Sequence, residues 1–226
     1  MSKKISFLNK KLSFNIRSDA DQSVLDEILG DREYRIVEDV IKKASHEIID
    51  VGAHIGVFSV YASVLNPKVK IIAFEPEEAN IALLRENLKL NNVQNVVVKG
   101  VALGAKDGSK NFFVNADSHN HSFFDVNVPL KKIKVQVQSL GKILQKAEVV
   151  DLVKMDSEGA EFEILNSLSS EEFAKVKAFY IEYHEYYDDM RSEDLIKLIQ
   201  RNGFKTKSIP SRYNKRMGFI FAERSN

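Results

Sequence analysis

The sequence predicts an α/β domain built on a doubly wound, mostly parallel sheet, and three observations carry that expectation. Short runs rich in Val, Ile and Phe alternate with segments of helical periodicity, the pattern of βαβ units with right-handed crossovers. The runs are apolar along most of their length, as strands covered by helices on both faces should be. The chain has 226 residues, enough to bury such a sheet within one domain.

Taken in order, "KISFLNKKLSFNIRS" alternates polar and apolar residues like a hairpin, and "QSVLDEILGDREYRIVEDVIKKA" reads as helices broken near Gly30. Together they predict an N-terminal extension, residues 1–46, packed on a main domain of residues 47–226. The main-domain strands are "EIIDVGA" (Glu47 to Ala53), "KIIAFEP" (Lys70 to Pro76), "VVVKGVA" (Val96 to Ala102), "DLVKMDS" (Asp151 to Ser157) and "AFYIEYH" (Ala178 to His184). Helical patterns cover Ile55 to Leu65, Glu77 to Leu90, Glu161 to Leu168 and Glu193 to Asn202. "FKTKSIP" (Phe204 to Pro210) and "GFIFAER" (Gly218 to Arg224) follow, and the short basic connection with Arg212, Lys215 and Arg216 makes them an antiparallel pair. Between Lys110 and Leu140, "KNFFVNA" and "IKVQVQS" read as extra strands flanking a polar stretch, Asp117 to Asn127. No repeat, low-complexity run or linker divides the chain.

Composition excludes several classes. Lys plus Arg (33) and Asp plus Glu (32) nearly cancel, so no global field draws the chain to nucleic acid or an anionic membrane. The absence of cysteine rules out disulfides, thiolate metal sites and cysteine nucleophiles, and suits a reducing cytoplasm. No run approaches the roughly 18 apolar residues that span a bilayer. The expectation is a soluble, unprocessed, cytoplasmic protein with no membrane insertion.

"DVGAHIGVFS", Asp50 to Ser59, places an acid and two glycines where a strand turns into a helix. In an open parallel sheet, ligands bind beyond the carboxyl ends of the strands where strand order reverses. Gly52 and Gly56 permit close approach and backbone angles closed to other residues, and Asp50 can accept a hydrogen bond from a ligand ammonium. Read alone, the pair is equally a plain tight turn. "AFEPEEAN" adds Glu75 at the next strand end, a little over twenty residues after Gly52, where an acid can take the two hydroxyls of a ribose. Alone, Glu75 also reads as a charge complementing a helix dipole. The first loop lacks the G-x-G-x-x-G grip on a pyrophosphate, which favours a nucleoside without phosphates, S-adenosylmethionine being the common one.

"DVGAHIGVFS", "AFEPEEAN", "VALGAKDGS" and "VKMDSEGAEFEILNSL", in that order, resemble the successive motifs of the FkbM-type S-adenosylmethionine-dependent methyltransferases over about residues 47 to 185. The resemblance implies a Rossmann-like class I methyltransferase fold, seven strands with the last antiparallel, and methyl transfer to a hydroxyl of a sugar, glycolipid or polyketide-like small molecule. Asp50, Gly52, His54, Gly56 and Phe58 would lie at the methionine end, Glu75 and Pro76 at the ribose, Ala102 and Leu103 at the adenine, and Asp156 beside the methyl. His54 stands where the family usually has Asn, Glu78 where it has Pro, and Gly141 where an acid is expected after "SL".

"KMDSEGAE" is the expected catalytic element, with Asp156 and Glu158 as candidate catalytic carboxylates. A carboxylate about 4 Å from a sulfonium gains roughly 4 kcal/mol at an effective dielectric near 20, an attraction that fades as the methyl leaves. Asp156 is therefore better used to orient the acceptor or take its proton. For Glu158 and Glu161 the dipole of the following helix is an equal explanation. His184 shares a strand face with Glu182 and has the pKa range of a general base, or is a hydrogen-bonded strand-end histidine. Tyr34, His119, His121, Ser122 and Glu161 are the candidate acceptor contacts, and the segments Gly30 to Tyr34 and Asp117 to Asp125 the acceptor-recognising ones. No metal is expected, because His119 and His121 have no spaced partners. The alternatives are a nucleic-acid methyltransferase, using the basic loop near Arg212 and Lys3, Lys4, Lys10 and Lys11, or a non-catalytic cofactor-binding protein.

Overall fold

The alternating N-terminal sequence closes on itself before the main sheet begins. The computed structural model describes residues 1–114, 131–187, 190–211 and 214–224. Strands β1 (Ser2–Phe7) and β2 (Lys10–Asn15) pair antiparallel. Their two-residue turn, Leu8 and Asn9, has positive φ at both positions (47° and 63°), the twist that matches a hairpin. Ser18 caps α1 (Asp19–Leu25) by accepting from the Asp21 amide. A π-helical turn (Asp26–Gly30) and a 3-10 turn (Glu33–Val37) then lead into α2 (Glu38–Lys43), which is the break expected near Gly30.

The main domain runs β3 (Glu47–Val51), α3 (Val57–Leu65), β4 (Lys70–Phe74), α4 (Glu78–Leu90), β5 (Val96–Lys99), β6 (Ala102–Gly104), β7 (Gly108–Val114), β8 (Lys131–Ser139) and α5 (Leu140–Lys146). It continues with β9 (Leu152–Met155), α6 (Glu161–Asn166), α7 (Ser170–Ala174), β10 (Ala178–His184), α8 (Ser192–Arg201), β11 (Phe204–Pro210) and β12 (Met217–Arg224). The seven-stranded sheet has the order β11-β12-β10-β9-β3-β4-β5. β12, the last strand, is antiparallel to both neighbours, whereas β10-β9, β9-β3, β3-β4 and β4-β5 are parallel.

The run Val96 to Ala102, expected as one strand, is two. β5 ends at Lys99, and Ala102 begins β6 in a separate three-stranded sheet, β6-β8-β7, whose other members are the extra strands expected near Lys110 and Leu140. The sequence reading also passes over α5 and α7, both short. α7 carries a capping box, Ser169 and Glu172, that the polar "SSEE" concealed.

Two apolar layers cover the two faces of the main sheet. One joins Ile48, Ile71 and Leu152 to α3 and α4 and to Phe7, Phe14, Leu25 and Tyr34 of the N-terminal segment. The other joins Ile49, Val153 and Ile181 to α5, α6, α7 and α8. The free edge of β2 is sealed by two asparagines of α4: Ser13 and Asn15 donate their amides to Asn91 Oδ1 (2.9 Å) and Asn87 Oδ1 (2.7 Å). Chain order reverses between β3 and β9, so the loops after these strands frame the crevice where this fold class binds ligands. Among the described residues, no helix is long and apolar enough to cross a membrane.

Candidate active site

The loop after β3 is shaped by its neighbours. Gly52 has φ +70°, and a Cβ there would sit 1.9 Å from the Asp156 carbonyl oxygen, so the glycine is required by the close approach of the β9 end. Gly56, φ +86°, precedes α3 and packs against Leu84. Beneath the loop, β3 and β9 each carry one buried charged residue, and register places Asp50 beside Lys154. Lys154 Nζ lies 3.3 Å from Asp50 Oδ1 and donates to the carbonyls of Gly52 (2.9 Å) and Val51 (3.2 Å), while Ser59 Oγ donates to Asp50 Oδ2 (2.8 Å). Burial alone would lower the Lys154 pKa, but Asp50 and Asp156 outweigh it and hold the pKa above the ordinary value.

Glu75, just beyond β4, is buried and already engaged. Its Oε2 accepts from the His54 amide (2.9 Å), and its Oε1 from the Glu77 amide (3.0 Å) and Asn80 Nδ2 (3.2 Å). Three of roughly four lone-pair directions are taken, leaving one toward the cleft. Burial raises its pKa against the pull of these donors. Asn80 Oδ1 in turn accepts from Arg17 Nη2 (2.5 Å), Arg17 pairs with Asp21, and Asp21 Oδ1 stands 3.3 Å from His54 Nε2. The chain of contacts thus returns to the His54 backbone and ties the N-terminal segment to the loops after β3 and β4.

These loops open onto a cleft of about 910 Å³, its mouth included. Its apolar lining includes Val51, Phe58, Phe74, Ala102, Leu103 and Phe112, and α1 with the turns after it supplies Val24, Ile28 and Tyr34. Among the described residues, six carboxylates line it, Glu27, Glu33, Glu75, Asp156, Glu158 and Glu182, against one ammonium, Lys154. Burial first, and repulsion among neighbouring carboxylates after it, favour the neutral form of four of them. Glu33 is pushed up to about 7, Glu158 to about 8, and Glu27 and Glu182 are raised as well.

Behind this wall lies His184, 1% exposed. Its Nδ1 is 3.5 Å from Glu161 Oε1, and its Nε2 is 3.6 Å from Glu158 Oε2 and 4.0 Å from Glu182 Oε1. Burial would lower its pKa, yet Glu161 and then Glu158 and Glu182 hold it well above the imidazole range. Glu161 is held by donors of its own loop: the Ser157 amide (2.8 Å), Ser157 Oγ (3.0 Å) and the Gly159 amide (2.9 Å). His184 and these donors keep its pKa below the usual value in spite of burial.

Of the expected site residues, the cleft brings together Gly52, His54, Phe58, Glu75, Pro76, Ala102, Leu103, Asp156, Glu158 and Tyr34. Asp50 and Gly56 do not line it: Asp50 is spent on Lys154 and Ser59, and Gly56 on the packing of α4. His184 and Glu161 also lie outside the lining, behind the carboxylates of Glu158 and Glu182. His119, His121 and Ser122 fall outside the described residues. Sequence reasoning missed Lys154, Glu27 and Glu33 and gave Glu182 no role of its own. The usable signal for Lys154 was its lone charge in "LVKM", matched by Asp50 in "IIDV". Gly141 also finds its reason: a Cβ there would lie 2.6 Å from Glu172 Oε1, so the capping-box glutamate fills the space of the expected acid.

The strand order, the antiparallel last strand and the cleft at the switch point define a class I methyltransferase fold. The family model described as the methyltransferase FkbM domain matches residues 50–206, and the chain belongs to that family. It is 26% identical over 179 residues to "Methyltransferase 1" of Beauveria bassiana, covering 70% of this chain and 71% of that protein. Among solved structures, "Methyltransferase FkbM" from Methylobacillus flagellatus superposes with a TM-score of 0.52 at 17% identity, covering 92% of this chain and 56% of the other. The N-terminal domain of human METTL16 in complex with SAH superposes with a TM-score of 0.50 at 12% identity, covering 85% and 68%. At these identities the two structures speak for the fold alone.

Proposed function

We propose that this methyltransferase uses S-adenosylmethionine to methylate a hydroxyl of a small molecule, a sugar, glycolipid or polyketide-like acceptor. The observation that carries the reading is the cleft itself: largely apolar, at the switch point, with six carboxylates against one ammonium among its described lining residues. Such a site favours a cationic ligand and a reaction that releases a proton. S-adenosylmethionine, when bound, supplies an electrophilic methyl group on a sulfonium. Glu75 offers its remaining lone-pair direction to a ribose hydroxyl, and Phe74, Ala102, Leu103 and Phe112 enclose the base.

Asp156, Glu158 and Glu182 stand at the ends of β9 and β10 and face the acceptor side. They orient the acceptor hydroxyl, and Asp156 receives its proton as the oxygen bonds to carbon and the sulfur keeps its electron pair. Tyr34, Glu33 and Glu27, from the N-terminal segment, form the opposite wall of the acceptor space and exclude water from it. Holding the reactants in line can contribute about 7 to 11 kcal/mol, more than proton transfer to a base adds.

The test is calorimetric titration with S-adenosylmethionine and S-adenosylhomocysteine, followed by identification of the molecule labelled when cell extract, enzyme and methyl-labelled cofactor are mixed. Glu75→Ala is expected to weaken cofactor binding by about 1.5 to 3 kcal/mol, the range for hydrogen bonds to a charged group. Unchanged affinity in that variant sinks the placement, and labelled RNA in place of a small molecule sinks the acceptor class.

A further inference from the structure

Methyl transfer as described above leaves His184 without a task, yet the protein fixes this ring with unusual care. It is 1% exposed, Tyr186 stacks on it at 5.5 Å between ring centroids, and Tyr186 OH also donates to Glu158 Oε2 (2.8 Å). Glu161, immobilised by Ser157 and Gly159, backs the Nδ1 side. Nε2 points at Glu158 and Glu182, and neither ring nitrogen has a hydrogen-bond partner of good geometry. Asp156 adds a second orphan, because its buried Oδ1 has no hydrogen-bond partner either. One ligating atom from each of Asp156, Glu158 and His184 lies within 4.8 Å of the other two.

We propose that Asp156, Glu158 and His184 bind a hard divalent cation, of the Mg²⁺ or Mn²⁺ kind, at the acceptor end of the cleft. Donors sharing one such ion through bonds of about 2.1 Å stand roughly 3 to 4.2 Å apart, so small side-chain rotations close the observed spacing. Two carboxylate oxygens and one imidazole, with no thiolate in the chain, select a hard or borderline ion over a soft one. The Glu161 carboxylate behind Nδ1 is the outer partner that metal-bound histidines commonly have, and it turns Nε2 toward the ion. The left-handed backbone of Glu158 (φ +51°), followed by Gly159 (φ +101°), turns that side chain back toward the same point.

Three protein ligands leave coordination positions open for acceptor oxygens. A cation there answers the crowding of acids around it. Bound to the ion, the acceptor hydroxyl loses its proton more readily. That proton passes to water at the mouth of the cleft; the oxygen's electron pair forms the bond to the methyl carbon, and the carbon–sulfur pair stays with sulfur. Cation binding itself does not depend on the proposed methyl transfer; only the use made of the cation rests on that reading.

The experiment is titration of EDTA-stripped protein with Mn²⁺ near neutral pH, following loss of the free-ion paramagnetic resonance signal, beside a calorimetric titration with S-adenosylhomocysteine. One Mn²⁺ per chain is expected, displaced by Mg²⁺, with affinity lowered at least tenfold in Asp156→Asn, Glu158→Gln and His184→Gln and unchanged in the surface variant Glu171→Gln. Should His184→Gln fail to fold, Asp156→Asn, a partly exposed side chain, carries the test, its folding checked by thermal melting. No Mn²⁺ bound at about 1 mM, the weak end of protein sites for such ions, overturns the inference. So does equal binding by wild type and Asp156→Asn. Homocysteine-product binding without Mn²⁺ defeats the cation site alone, and Mn²⁺ binding without it defeats the proposed cofactor alone.

Discussion

Glu33 offers a quantitative test of the acidic cleft. It sits in the 3-10 turn of the N-terminal segment, and burial, followed by repulsion from Glu27 and Asp156, lifts its pKa from 4.5 to about 7 against the attraction of Lys154. Its folded pKa exceeds its unfolded one, so folding takes up a proton between these values. The stability it confers is complete below pH 4.5 and is lost as pH rises through about 7. The interval from 4.5 to about 7, at roughly 1.36 kcal/mol per pH unit, sets the loss at about 3 kcal/mol by pH 8. That is a large share of the 5–15 kcal/mol typical of a domain. Glu33→Gln keeps the shape and removes the charge. The assay is urea unfolding of metal-stripped protein at pH 5, 6, 7 and 8, with wild type subtracted from variant. Because the other buried acids titrate in both proteins, the difference isolates Glu33: the variant should gain on wild type steadily with pH, by up to about 3 kcal/mol. Parallel stability curves would refute the burial and crowding assigned to this wall of the cleft.

Two further outcomes probe the frame of the site. Lys154→Met leaves Asp50 buried with Ser59 alone and should cost about 3 to 5 kcal/mol in urea unfolding, most of it recovered when Asp50→Leu is added; a single variant as stable as wild type would show that the pair is not needed. Gly141→Asp, which installs the acid that the family resemblance expects, drives a carboxylate into Glu172 and should lower the melting temperature by at least about 4 °C; an unchanged melting point would mean that the space is larger than the 2.6 Å approach implies.

The sheet was readable because a parallel strand covered on both faces needs apolar residues throughout, and "EIIDV", "KIIAF" and "AFYIEYH" meet that need. The split at Gly100 was not, since Lys99 and Gly100 interrupt the apolar run no more than a strand end or a bulge would. In the site, spacing was enough to locate Glu75, which needs only to end a strand beside the glycine loop. Depth was harder. A two-residue period puts Glu182 and His184 on one face, but it does not say that Glu182 reaches the cleft while His184 stops behind it. Asp50 shows the same limit from the other side: a charge in an apolar strand invites a ligand, whereas its partner was the equally isolated charge one strand away.

His54 carries this reasoning furthest. Where the family resemblance expects asparagine, the imidazole places its far nitrogen, Nε2, 3.3 Å from Asp21, while its backbone amide holds Glu75. An asparagine amide ends at the depth of the near ring nitrogen and would fall short of Asp21. The substitution therefore matches a feature of the N-terminal segment: Asp21 is the same residue that pairs with Arg17, and Arg17 reaches Asn80 and so returns to Glu75. No local pattern announces this, because the ring closes between residues 17, 21, 54, 75 and 80 only after the hairpin has docked on α4. What looked like a departure within the loop after β3 is a contact between that loop and the N-terminal segment, which lines the same cleft through Val24, Ile28 and Tyr34.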